Sequence, residues 1–226
     1  MKKIKLKPRK SIVSPTSITV IMFASLLLLS TEFFGQQKQT IDLYKAFQDN
    51  KLEKMGKKLN LLVDGNRKGV SSEGLTWIKE LEFSNGTIEV DIRGKDIQQG
   101  SFPGIIFHAN DTITFDQIYF RPFNFRSADS IKKIHSVQYV SLPGNEWNVL
   151  REKFPGKYEK SVIPAPLATD WFRAKIVVKD ATVTVYVNGS STPSLVVTKL
   201  NQRKTGMIGL TSFGSPGDFA NLEISK

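Results

Sequence analysis

The chain contains no cysteine, and this absence excludes several classes of site. Without thiols there is no disulfide framework, no thiolate zinc site, no cysteine nucleophile and no lipid-bearing cysteine. Only two histidines occur in 226 residues, and neither belongs to a His-x-His or His-Glu pair, so a histidine-based metal site is not indicated. Glycine-rich phosphate loops, serine-nucleophile elbows and nucleic-acid-binding motifs are also missing. We therefore expect no nucleic-acid partner and no resident metal.

A long hydrophobic run is missing as well. The apolar run at residues 18–29 follows six basic side chains within residues 1–10. A membrane-spanning helix needs about 20 apolar residues, whereas the core of a signal peptide needs about 7–15. We predict a secretory signal peptide over residues 1–36, cleaved near Gly35 or Gln36, with an uncleaved membrane anchor as the alternative. Export without cysteine favours a secreted or periplasmic bacterial protein that meets the membrane only through this segment.

The net charge of +11 is partly a property of that N-terminal segment. Residues 1–36 carry six basic side chains and one acidic one, so the remaining chain has a net charge of +6. A moderately basic surface can attract an anionic partner such as an acidic polysaccharide. The alternative is a solvated surface with no charged partner.

Apolar and polar residues alternate along most of the chain, which predicts an all-β fold. The alternation is clearest at residues 86–93 and 171–179, and turns at 85–86 and 188–189 carry Asn-Gly pairs. A weak helical pattern at residues 41–47 is equally consistent with a first strand, and residues 143–169 read as an irregular stretch. We predict a lead-in segment over residues 37–54 and one domain over residues 55–226. Further strands are predicted at residues 59–63, 75–83, 103–108, 117–121, 136–141, 206–211 and 219–224. The segment Gly214-Ser-Pro-Gly217 predicts a turn between the last two.

Three stretches give the chain a family resemblance. Residues 83–93 and 171–189 contain strands with Asn-Gly turns, and residues 206–214 contain a Gly-x-Ile-Gly-Leu strand. Together they resemble the concanavalin A-like lectin/glucanase superfamily, and within it the laminin-G-like and 3-keto-disaccharide-hydrolase-type domains. The resemblance covers about residues 55–226 and implies a jelly-roll β-sandwich of two antiparallel sheets, one of them concave. It leaves the function open, because the superfamily includes lectins, glucanases, lyases and adhesion modules.

The first candidate for chemistry is the strand that contains Glu89 and Asp91. It resembles the Glu-x-Asp-x-x-Glu strand of laminarinase-type glycosidases, in which two glutamates act as nucleophile and acid. Here the third acidic position is occupied by Gly94. The missing carboxylate favours carbohydrate binding over hydrolysis.

The second candidate is the segment 119–139, which concentrates aromatic, arginine and histidine residues. Arginine donates paired hydrogen bonds to carboxylates, aromatic rings stack on sugars, and histidine or tyrosine can move a proton. We predict catalytic roles for Arg121, His135 and Tyr139 if the protein is a lyase, with Arg121 on a uronate carboxylate. Packing and structural ion pairs are the alternative explanation for these residues. The predicted saccharide-binding residues are Tyr119, Arg126, Gln138 and Trp147, with Trp147 on a loop above the others.

The functional hypothesis is therefore a secreted carbohydrate-binding module associated with glycan recognition or breakdown. The alternatives are a glycoside hydrolase or polysaccharide lyase of the same fold, and a non-catalytic envelope interaction module. The expected partner is an oligo- or polysaccharide, acidic ones included. No cofactor is required, although the oxygen-bearing loop residues Asn110, Asp111 and Asp116 leave calcium as an option.

Overall fold

A computed structural model describes Met1 and residues 38–226. The predicted signal peptide and its cleavage site lie outside the described residues. Among residues 38–226, no helix is both long enough and apolar enough to cross a membrane.

The described residues form strands over most of their length, with three short helices. They also contain a 3₁₀ turn at Pro122–Asn124. The strands are β1 (Lys38–Ile41), β2 (Leu52–Lys54), β3 (Lys58–Asp64), β4 (Arg67–Phe83), β5 (Gly86–Arg93), β6 (Phe102–Ala109), β7 (Phe115–Phe120), β8 (Val137–Leu142), β9 (Glu159–Lys160), β10 (Phe172–Lys179), β11 (Thr182–Val187), β12 (Leu195–Thr198) and β13 (Gly206–Ser225), and the helices are α1 (Leu43–Gln48), α2 (Ser130–Ile134) and α3 (Trp147–Lys153).

The strands make two antiparallel layers, so the predicted all-β jelly-roll sandwich is confirmed. Hydrogen bonding runs in the order β12-β11-β10-β5-β13-β6-β7-β8-β9. The first half of β13 pairs with β6, and its second half pairs with β5. Strand β4 accompanies β13 through both halves. The two long strands therefore belong to both layers, and the sheet passes from one layer to the other along them.

The closing strands differ from the expectation at residues 206–224. Two strands around a turn were predicted there, whereas β13 is one strand with a register shift between Ser212 and Gly217. Gly214 has a φ of 81°, a left-handed conformation that glycine adopts without steric cost. The glycines and proline that predicted a turn instead mark the irregularity where β13 bends between the layers.

The core lies between the two layers. Strand β10 alternates as predicted, with Ile176 and the other apolar residues of its inner face buried, and Ile176 pairs in register with the buried Val185 of β11. The opposite layer contributes Ile118 and Phe120, and the Phe120 ring packs edge-on against Phe172 at 4.9 Å. Burial of these apolar side chains is the main stabilising contribution to the sandwich.

The lead-in segment is joined to the sandwich. Strand β1 pairs with the end of β13, and β2 pairs with β4. The pattern at residues 41–47, which was equally consistent with a helix or a strand, corresponds to α1, where the Asp42 carboxylate accepts a hydrogen bond from the backbone N–H of Lys45 at 3.0 Å. Leu43 and Leu52 are buried in the main core, so this segment adds to the same hydrophobic core.

Candidate functional site

A cleft lies on the outer face of the layer that contains β6, β7 and β8. Side chains alternate along these strands, so Ile118 and Tyr139 point to the core while Tyr119 and Val140 face the cleft. Its volume is ≈ 590 Å³, which is in the range of small-molecule binding sites. The lining residues are Gln98, Gln99, Phe102, Gln117, Tyr119, Arg121, Phe123, Asn124, Lys132, His135, Val140, Leu142, Glu146, Trp147, Arg151 and Phe213.

Aromatic side chains form two sides of the cleft. Phe102 packs edge-on against Tyr119 and Phe123, at ring-centre distances of 6.2 and 5.7 Å. Phe213 on β13 lies at this side, and Trp147 lies beyond β8. Because β13 and β8 are three strand spacings apart, they are separated by about 14 Å. Trp147 and Phe213 are each 48% exposed, so both offer an open aromatic surface at opposite sides.

Tyr119 and Arg121 line the floor of the cleft and are hydrogen-bonded to Gln138. Gln138 itself is fully buried beneath them and does not line the cleft, which corrects the expectation that it contacts a saccharide. Arg121 Nη2 donates to Tyr119 Oη and to Gln138 Oε1, both at 2.6 Å, and Tyr119 Oη donates to Gln138 Oε1 at 3.1 Å. Gly104 lies beside Tyr119. Any larger residue at this position would bring its Cβ within 2.7 Å of the Tyr119 Cβ, so glycine is what leaves room for the tyrosine. Burial raises the pKa of Tyr119 to about 12, so its hydroxyl stays protonated and acts as a donor at neutral pH.

Arg121 does not present a free guanidinium to the cleft. Its Nη1 donates to the carbonyl of His135 at 2.8 Å, and the residue is only 6% exposed. Burial lowers the pKa of Arg121. The expectation that Arg121 binds a uronate carboxylate is therefore not met in this geometry, because its Nη1 and Nη2 groups already donate to protein oxygens.

His135 lines the wall of the cleft. Asp129 caps the start of α2 by accepting from the backbone N–H groups of Ile131 and Lys132, and His135 closes the end of that helix. His135 Nδ1 lies 2.8 Å from Glu159 Oε2, although the two are not aligned as a hydrogen bond. Burial lowers the pKa of His135, and Arg151 lowers it further against the opposing effect of Glu159. The pKa of His135 therefore lies below its ordinary value, which favours the neutral imidazole at pH 7.

Tyr139 and Arg126 lie outside the cleft, which corrects two expectations. Tyr139 is the neighbour of Gln138 on β8, so it points into the core, where its hydroxyl donates to Asp116 Oδ1 at 2.6 Å. Burial and the adjacent Asp116 carboxylate raise the pKa of Tyr139 well above its ordinary value. Arg126 is exposed and donates to the carbonyl of Ala165 at 3.0 Å.

Trp147 is the first residue of α3, where a loop was expected, and Arg151 stacks over its ring at 5.0 Å. Arg151 Nε and Nη2 donate to the two carboxylate oxygens of Glu159 at 2.9 and 2.7 Å. Glu159 was not predicted as a site residue, since it lies in a stretch without alternation. The i, i+4 spacing of Trp147 and Arg151 in a helix could have revealed their contact.

The predicted calcium ligands are engaged in other contacts. Asp111 accepts from the backbone N–H of Ile113 and from the hydroxyl of Thr114. Asp116 is buried and accepts from Tyr139 and Asn201. Within residues 38–226, no group of three histidine, aspartate or glutamate side chains is arranged to hold a metal ion.

The strand thought to resemble a glycosidase strand lies away from the cleft. Glu89 and Asp91 project from β5 on the outer face of the other layer, where both pair with Arg173 at 3.4 and 3.3 Å. Arg173 also pairs with Glu223. Their role in the structure is an ion-pair network.

Comparison with known proteins identifies a family and a fold. A family model described as the 3-keto-alpha-glucoside-1,2-lyase-like domain matches residues 39–225, which confirms the resemblance. A search of curated proteins found no match.

Solved structures share the architecture at low sequence identity. A Bacillus subtilis protein with a galectin-like fold is 12% identical, with a TM-score of 0.56 over 83% of this chain and 94% of its own. The carbohydrate-binding module CBM66 from Bacillus subtilis is 15% identical, with a TM-score of 0.52 over 77% of this chain and 96% of its own. A native glycosidic hydrolase is 13% identical, with a TM-score of 0.52 over 84% of this chain and 96% of its own.

Proposed function

Because the chain belongs to the 3-keto-alpha-glucoside-1,2-lyase-like domain family, we propose that the cleft on its β6-β7-β8 face binds a saccharide. The observation that carries the proposal is the combination of exposed aromatic faces at two sides with a polar floor between them. Aromatic faces stack on the apolar faces of sugar rings, while amide, hydroxyl and guanidinium groups hydrogen-bond to hydroxyls. A carbohydrate-binding module and a glycosidic hydrolase with the same fold support this assignment.

A glycan-array screen of residues 38–226 tests the proposal, followed by isothermal titration with the strongest ligand. Trp147→Ala is expected to weaken binding by up to about 10-fold, because an aromatic contact contributes on the order of 0.5–1.5 kcal/mol beyond the area that it buries. Trp171→Ala is the matched control: its indole donates to Asp64 and stacks with Arg93, away from the cleft. Binding of no neutral or acidic glycan, or equal losses in both variants, would contradict the proposal and favour the interaction-module alternative.

A second candidate function is elimination on a 3-keto-glucoside, favoured by the family and by the neutral His135 at the cleft wall. The ketone at C3 acidifies the proton on C2, so a base can remove it. The electron pair then forms a C1–C2 double bond as the C1–O bond breaks and the aglycone leaves. His135 is the candidate base.

Ultraviolet absorbance of the conjugated enone, measured with a 3-keto-α-glucoside, tests this second function. His135→Asn is expected to lower the rate by roughly 10²–10⁴-fold, while the exposed Arg126→Ala stays near the wild-type rate. A wild-type rate no faster than buffer would leave saccharide binding as the function.

Two further expectations, calcium dependence and export, each have their own test. Calcium dependence is tested by repeating the glycan screen with a chelator.

Export is proposed from the sequence of residues 1–36 alone and is tested by N-terminal sequencing of the protein from its native host. A mature start near Gln36 is expected, and an intact Met1 in the membrane fraction would contradict it.

A further inference from the structure

A single buried carboxylate contacts residues from three elements around the cleft. Glu159 is 2% exposed and lies on β9, where it pairs in register with Gln138 of β8. Both of its oxygens accept hydrogen bonds from Arg151 on α3. Its Oε2 also lies 3.6 Å from Arg121 Nη1, just after β7, and 2.8 Å from His135 Nδ1 at the end of α2.

The arrangement engages the two guanidinium groups at the cleft, Arg121 and Arg151, while Lys132 is the remaining basic side chain of the lining. A sugar carboxylate is bound best by the paired N–H groups of a guanidinium. Arg151 gives its paired donors to Glu159, and Arg121 gives its own to Tyr119, Gln138 and the His135 carbonyl. The negative charge of Glu159 also offsets part of the positive charge of the two arginines.

We propose that Glu159 is a specificity-determining residue that makes the cleft select neutral sugar rings over uronates. The proposal rests on the saccharide-binding function given above and names the substrate class for that cleft. A uronate would bring a second carboxylate towards a group of charges that is already paired. It would have to displace Glu159 from Arg151 or remain without a guanidinium partner, and either requirement weakens binding.

Glu159→Gln removes this charge while nearly preserving the shape of the side chain. The amide keeps one oxygen for Arg151, and the second guanidinium donor becomes available beside Trp147. The cleft should then gain affinity for anions. Glu152→Gln is the matched control, because Glu152 is an exposed residue of the same helix as Arg151.

The experiment compares methyl α-glucoside with methyl α-glucuronide, which differ only at C6, by NMR titration of wild type and E159Q. Wild type is expected to prefer the glucoside, and E159Q is expected to shift the ratio of the two affinities by about 10-fold or more towards the glucuronide. E152Q should keep the wild-type ratio. A wild type that prefers the glucuronide, or a ratio that is the same in wild type and E159Q, would overturn the proposal.

A sulfate titration followed by tryptophan fluorescence separates failure of this inference from failure of the proposed function. Wild type should show no saturable response, whereas E159Q should show one even if neither sugar binds. The double variant E159Q/R151Q should lose the response again. If E159Q does not fold, R151Q provides the test. It removes the guanidinium that pairs with the Glu159 carboxylate, so it should weaken binding of the glucuronide more than binding of the glucoside. A sulfate response in wild type, or none in a folded E159Q, would overturn the role of Glu159.

Discussion

Strand β8 carries two polar residues side by side, and they belong to two different networks. Gln138 lies on the outer face and bonds to Tyr119 and Arg121 under the cleft. Tyr139 lies on the inner face, where its hydroxyl donates to Asp116 and accepts from the backbone N–H of Leu200. One residue step along the strand therefore separates a group beneath the cleft from a group inside the sandwich.

The two networks differ in what they hold. The inner network holds the segment between β12 and β13 against β7 and β8, because Asn201 of that segment donates to both Asp116 and Ser141. The outer one reaches the cleft, whose side chains Trp147 and Phe213 remain half exposed. Buried polar groups on the inner face thus stabilise the fold, while similar groups on the outer face arrange a surface for a ligand. The following predictions test that division.

The largest effect is expected from a cavity on the inner face. Ile118→Ala should lower the free energy of unfolding by about 2–5 kcal/mol, because Ile118 is fully buried and its neighbours relax only partly. The same substitution at Ile113, which is 70% exposed, should change stability by less than about 0.5 kcal/mol. Urea denaturation measures both, and equal effects would show that β7 does not face the core as described.

A smaller and more selective effect is expected from the two tyrosines. Tyr139→Phe should cost about 1–3 kcal/mol of stability, since Asp116 loses a buried donor. Its affinity for the saccharide should stay within about 2-fold of wild type. Tyr119→Phe should instead weaken saccharide binding, because Arg121 and Gln138 lose the hydroxyl that holds them in place.

Urea melts combined with isothermal titration distinguish the two tyrosine variants. If Tyr139→Phe reduced affinity as much as Tyr119→Phe did, the two faces would not act separately.

The smallest effect is a dependence of stability on pH. Burial, helped by the nearby Lys199, lowers the pKa of His108. The unfolded chain therefore takes up a proton at the ordinary pKa of about 6.5, before the folded protein does. Stability should fall as the pH drops through this range, by at most about 1.4 kcal/mol per pH unit for this group.

His108→Asn isolates this contribution. The φ of His108 is 50°, which asparagine adopts more readily than most residues. Urea melts between about pH 7.5 and about pH 5.5 should show a shallower slope in the variant. An unchanged slope would assign the pH dependence to other groups.

The fold could be predicted from the sequence because its signals are local. Alternation along residues 86–93 and 171–179 identifies strands with one buried face, and the structure has β5 and β10 there. The continuity of β13 could not be read in the same way. A glycine- and proline-rich segment looks the same in a turn as at a bend, and only the pairing with β4 distinguishes them.

The cleft was predictable only in part. Alternation places Gln138 and Tyr139 on opposite faces, but it does not say which of them points to the core, because both residues are polar, buried and hydrogen-bonded. Glu159 gave no signal, since β9 is two residues long and follows a stretch without periodicity. Its contacts with Arg121, His135 and Arg151 depend on the tertiary arrangement of four separate elements.

The most direct test of the account is a crystal structure of residues 38–226 with an oligosaccharide selected on the glycan array. We predict a sugar ring stacked on Trp147 or Phe213, with its hydroxyls within hydrogen-bonding distance of cleft residues such as Gln117 and Tyr119. The inner network around Asp116 should be unchanged. A saccharide bound on the outer face of the β5-β10 layer, with the cleft empty, would contradict the account.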